Sequence, residues 1–184
     1  MNKPIFALAL LLISMTASAG FGIQAGLFSP TSGLEDNDNS FLIGANIEFK
    51  VASIGIKLEG FYVDSSGRYV DAIDDIGFGA AANIDMELML AADVMFYPVG
   101  TTFFLQAGVN WISMDASDIT EVDADIIDNE LGIEAGAGIL IFDKLLIQGK
   151  AMYTPNAIKG EAIEILEDLD ENFFGFMVTA GWQF

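Results

Sequence analysis

Beyond its first twenty or so positions, the chain alternates apolar and polar residues one by one, in runs of about ten. A period of two marks β-strands, because successive side chains point to opposite faces. Residues 20–28 set Phe21, Ile23, Ala25 and Leu27 against Gly22, Gln24 and Gly26; residues 41–50 set Phe41, Ile43, Ala45, Ile47 and Phe49 against Gly44, Asn46, Glu48 and Lys50. The same alternation recurs at 53–63, 84–97, 101–113, 130–141, 145–154 and 172–184, which makes eight predicted strands. Their connections alternate too. Segments 51–52, 98–100 and 142–144 are short, whereas 29–40, 64–83, 114–129 and 156–171 are long. The four prolines, Pro4, Pro30, Pro98 and Pro155, are expected outside strand interiors, where their missing N–H would break the ladder.

An even strand number with tight turns at one end and long loops at the other predicts an all-β fold: an eight-stranded antiparallel up-and-down transmembrane β-barrel. A soluble eight-stranded barrel would share the alternation but would need a charged exterior. Here the second face is mostly Gly, Gln, Asn, Thr and Ala, which suits a narrow, side-chain-filled interior. The apolar face is therefore expected to meet lipid. Its aromatic residues fall in two bands, with Phe21, Phe49, Phe96, Phe103, Trp182 and Phe184 near the turns. Phe41, Tyr62, Trp111, Tyr153 and Phe174 lie near the loops, as girdles at two lipid–water interfaces should.

The start of the chain is different. Met1-Asn2-Lys3 precedes an apolar run from Ile5 to Ile13 and then Thr16-Ala17-Ser18-Ala19-Gly20. A basic start, a short apolar stretch and small residues predict a signal peptide over 1–19, cleaved after Ala19, with the barrel domain at 20–184. The run falls short of the roughly 20 residues that a permanent membrane helix needs.

Composition narrows the function classes. The chain is 53% hydrophobic yet carries 27 acidic and 7 basic residues, a formal net charge of −20. Disorder requires low hydrophobicity, and nucleic-acid binding requires a basic surface, so neither is expected. With no Cys and no His, disulfides, the common zinc sites and most nucleophile–base pairs are ruled out.

The inner face supplies the first candidate chemistry: Glu48, Glu59, Glu87, Asp93 and Glu134 with Lys50, Lys57 and Lys150. The tight turns place Lys57 diagonal to Glu48 and Lys150 diagonal to Glu134, close enough to pair. Buried charges need partners, so these eight are expected to form a structural network rather than a gate or proton path. The acids outnumber the lysines, and the surplus is expected to be met by protonation, water or a bound cation. The long segments supply the second candidate. They carry 3, 4, 6 and 6 acidic residues, 19 of the 27, against Arg68 and Lys159 alone. Asp123, Asp125 and Asp128 form the densest cluster, a candidate for weak divalent-cation binding that lacks the turn glycine and final glutamate of a calcium loop. No other cofactor is expected. Ile158, Ala162, Ile165, Leu166 and Leu169 stand at helical spacing and predict a short amphipathic helix in the fourth loop.

The closing stretch from Phe174 to Phe184, with Trp182 and an aromatic final residue, resembles the terminal strand by which outer-membrane barrels are recognised for assembly. From about Gly20 onward the chain resembles the small eight-stranded families typified by the OmpA membrane domain and OmpX. That resemblance implies a monomer integral to the bacterial outer membrane. Its partners would be lipopolysaccharide, membrane lipid and the barrel assembly machinery. Barrels that deacylate or palmitoylate lipid A, and omptin-like proteases, are built around histidine, and no residue here can take that role. The expected function is non-enzymatic: structural, or adhesin-like surface interaction through the acidic loops. The alternative is a porin-like narrow pore or a lateral route for small or apolar solutes.

Overall fold

A computed structural model describes residues 17–32, 39–64, 69–71, 81–99, 102–117, 130–157 and 172–184. Nine strands run through them: β1 (Ala17–Ser32), β2 (Ser40–Val51), β3 (Ile54–Asp64), β4 (Tyr69–Asp71), β5 (Ala81–Val99), β6 (Phe103–Ser117), β7 (Leu131–Ile141), β8 (Leu145–Thr154) and β9 (Phe173–Gln183). All pairings are antiparallel. β1 lies between β2 and β9, and a β3–β5 pairing closes the sheet on itself, so eight staves form a barrel in chain order. Closure matters because a strand edge facing hydrocarbon would leave backbone N–H and C=O groups without partners.

Burial follows the period of two. On β3, Gly55, Lys57, Glu59, Phe61 and Val63 point inward, while Ile54, Ile56, Leu58 and Tyr62 are exposed. The large exposed side chains are overwhelmingly aliphatic or aromatic, whereas two lysines, three carboxylates and several amides are buried. In water this arrangement would sacrifice the main driving force of folding. In a bilayer it is the stable one. Phe21, Phe49, Phe96, Phe103 and Trp182 are exposed at the turn end, with Phe41, Tyr62 and Tyr153 at the other. Phe184 stacks on Phe21 with ring centroids 6.2 Å apart, across the seam between the first and last staves.

Several sequence expectations need correction. β1 starts at Ala17 rather than Gly20, with rungs Ala17↔Val51, Ser18↔Lys50 and Ala19↔Phe49. β5 and β6 continue above the expected strand ends, pairing as far as Asn83↔Ser117. β4, inside a segment read as loop, extends the sheet through Tyr69↔Asn83 and Asp71↔Ala81. Pro30 and Pro98 lie within strands after all. The register slips at both places, between Pro30 and Ser32 and between Phe96 and Val99, so neither ring interrupts a regular ladder.

A third slip, between Met86 and Leu88, adds Glu87 to β5 without a partner residue on β6. Below it the expected alternation holds, and at it the phase slips by one residue. Met86, expected outside, is buried, and Glu87, expected in the lumen, is exposed.

The β7–β8 turn places two successive non-glycine residues in the left-handed region, Phe142 at φ 54° and Asp143 at 56°. Positive φ at both central positions suits the right-handed twist of the flanking strands, and the Lys144 N–H closes the turn on the Ile141 carbonyl at 3.1 Å, with Lys144 the third residue of the connection. Phe142 is 92% exposed at its tip.

Inside, the barrel is layered. Near the loops, Phe61, Met89 and Ile112 form one row across β3, β5 and β6, and Phe28 stacks on Phe173 at 5.8 Å. Near the turns, Met95, Tyr97, Phe104 and Leu146 form an apolar floor, with Leu140 against it. The buried charges lie between these two layers.

Candidate functional site

Lys150 is the centre of the middle layer. Its Nζ, reaching in from β8, donates to Glu59 Oε2 on β3, to Asp93 Oδ2 on β5 at 2.6 Å, and to Glu134 Oε1 on β7. One ammonium thus ties together carboxylates from three other staves. Lys57 lies one step toward the floor. It donates to Gln106 Oε1 at 2.5 Å and to Gln148 Oε1, and stands 3.3 Å from Glu59 Oε1. Its Nζ is 5.2 Å from the centre of the Phe104 ring, so the charge rests on the aromatic floor.

Amides complete the layer. Gln24 and Gln148 both donate to Glu59 Oε1, at 2.7 and 2.8 Å, and Gln24 Oε1 accepts from Gln148 and from the Thr179 hydroxyl. Gln24, Gln106, Gln148 and Thr179 stand on the inner face of the alternation but were not picked out as site residues above. The available signal was chemical, since a polar side chain on a face that excludes water must find a partner. The side chains of Lys57, Glu59, Asp93, Glu134 and Lys150 are all 0% exposed.

Two glycines make room for this packing. A Cβ on Gly108 would fall 2.6 Å from Asp93 Oδ1, and one on Gly136 would meet Lys150 Cα and Cγ at 3.0 Å. Each lets a charged side chain lie flat against the neighbouring stave.

The eight inner charges expected from the sequence fall into three groups. Lys57, Glu59, Asp93, Glu134 and Lys150 form the middle layer, with Lys150 diagonal to Glu134 across the β7–β8 register. Glu48 and Lys50 form a separate group beneath the floor. Glu48 faces Lys57 directly rather than diagonally, but its carboxylate accepts from the Tyr97 hydroxyl, and Lys50 Nζ lies 3.4 Å from the Tyr97 ring centre. Glu87 belongs to neither group, since the bulge turns it outward.

Below the floor, a vestibule of about 310 Å³ opens at the turn end, lined by Glu48, Lys50, Tyr97 and Leu140 among others. The acidic oxygens of Glu59, Asp93 and Glu134 lie within 4.8 Å of one another. The place a cation would take among them is filled by Lys150 Nζ. Asp123, Asp125 and Asp128, and the helical spacing from Ile158 to Leu169, lie outside the described residues. Trp182 and Phe184, read as an assembly signal, are both exposed at the end of the closing stave, where the Phe184 N–H donates to the Phe21 carbonyl at 2.7 Å.

The fold is that of the small eight-stranded barrels of bacterial outer membranes. It is similar to OprG of Pseudomonas aeruginosa, with a TM-score of 0.55 at 15% identity over 91% of this chain and 97% of that one. It is also similar to Ail, the attachment invasion locus protein of Yersinia pestis, solved with the heparin analogue sucrose octasulfate (TM-score 0.50, 15% identity, 92% and 100% covered). A third likeness is to a major outer membrane protein of Thermus thermophilus (0.50, 14%, 91% and 100%). No protein-family model matches the chain, and no curated protein aligns with it.

Proposed function

We propose that the chain is a non-conducting, non-enzymatic barrel of the bacterial outer membrane, processed near Ala19, that presents acidic loops at the cell surface for structural or adhesive contact. One observation carries the non-conducting part: the lumen is filled at three successive levels. An apolar layer lies at each end and a fully paired set of lysines closes the middle, where the charged side chains are 0% exposed. An open pore keeps its charges hydrated, because dehydrating them costs far more than thermal energy. Purified barrel in a planar lipid bilayer is expected to stay silent; sustained discrete openings would establish the pore instead.

The surface role rests on charge. With 19 of 27 acids in the long segments, the outer end repels polyanions and favours cationic partners or cation-bridged contact with lipopolysaccharide. The barrel is therefore expected to flow through immobilised heparin and to be retained on immobilised polylysine at low salt. Retention on heparin would instead align it with the ligand seen bound to Ail.

A further inference from the structure

Buried charge in the middle layer does not balance. β3 brings Lys57 and Glu59, β5 Asp93, β7 Glu134 and β8 Lys150: three carboxylates against two ammonium groups. At this level β1, β6 and β9 contribute no charged side chain. β2 adds only Glu48 and Lys50 below the floor, one of each sign, so the excess of one negative charge is unchanged.

Hydrogen bonding fails at the same place. Lys150 takes one oxygen from Asp93 and one from Glu134. Their second oxygens, Asp93 Oδ1 and Glu134 Oε2, are buried and have no hydrogen-bond partner among the described residues. Each of the two carboxyl groups offers an oxygen within 4.8 Å of one on the other. Two buried acceptors without donors, with an uncancelled charge between apolar layers, make a costly arrangement in a sealed interior.

We propose that the Asp93–Glu134 pair is a proton-binding site, occupied by one hydrogen ion that the two carboxyl groups share. Protonating one of the bare oxygens cancels the charge and removes an unpaired acceptor, so a single particle answers both deficits. A metal ion fits less well, because Lys150 Nζ already occupies the point common to all three carboxylates. The proposal presupposes the sealed interior described above, which conductance tests separately.

Infrared spectra of the barrel in lipid vesicles at neutral pH test it, since every solvated carboxyl is then ionised. Wild type is expected to show the carbonyl stretch of one protonated carboxylic acid, shifted in deuterated buffer. Glu134→Gln and Asp93→Asn should each abolish that band. Each removes the excess charge, leaves the remaining carboxyl free to ionise, and provides an amide N–H where the O–H stood. Absence of the band from wild type would overturn the proposal even if neither variant folds. So would its survival in either variant, or one tightly bound metal ion per barrel by elemental analysis.

Discussion

Lys150→Met is expected to lower the unfolding free energy of the barrel by about 3–5 kcal/mol, the usual cost of removing one partner from a buried ionic cluster. Met nearly preserves length and volume, so the loss reports charge rather than a cavity. Three carboxylates on β3, β5 and β7 would be left facing one another without the ammonium that joins them. Lys144→Met is the control. That lysine is exposed on the β7–β8 turn, 5.9 Å from the Trp182 ring, and its loss should stay within about 0.5 kcal/mol. Urea titration in lipid vesicles, followed by tryptophan fluorescence, reads both. Equal midpoints for the two variants would mean that the network does not hold the staves together.

Arginine placed on the outer face gives the second large effect. Val178, midway along β9, is 59% exposed and lies between Leu27 on β1 and Gly149 on β8. If its surroundings are hydrocarbon, Val178→Arg costs about 2–4 kcal/mol, and the same change at Val51, at the turn end of β2, costs about 0–1 kcal/mol. That dependence on depth is the signature of a bilayer. In a water-soluble barrel both positions would accept arginine at little cost, so a flat profile would refute the lipid-facing assignment.

The alternation exposed most of this architecture in advance, because a barrel with lipid outside and a packed lumen assigns nearly every strand position to one of two faces. Its failures share a cause. A period-two pattern carries no mark where one residue is inserted, so the bulge at Glu87 was invisible, and Met86 and Glu87 were given the wrong sides. Pro30 and Pro98 misled for the same reason: proline excludes a regular ladder, and a slipped one accommodates it. β4 escaped notice because three residues within an acidic, glycine-containing stretch are too short to show a period.

At the site, the lysines and acids of the middle layer were recognisable as inner-face charges, since any such charge must find company. Which partner each would take was not. The choice between Glu48 and Glu59 for Lys57 depends on how far β2 and β3 are sheared and on Tyr97, a residue of β5, donating to the Glu48 carboxylate. Sequence spacing within one hairpin contains neither fact.

The linkage between Lys150 and Glu59 spans 91 residues of chain, which has a kinetic consequence. Neither group can reach the other until the sheet has curled far enough to bring opposite walls together, because β5, β6 and β7 separate their two staves. Until then both charges stay hydrated, and the nascent interior stays wet with them. Expulsion of water therefore comes late in assembly, with contacts that close long stretches of chain. A half-formed sheet can make only pairs between neighbouring staves, such as Lys150 with Glu134, and the contacts across the lumen come only when the walls face one another.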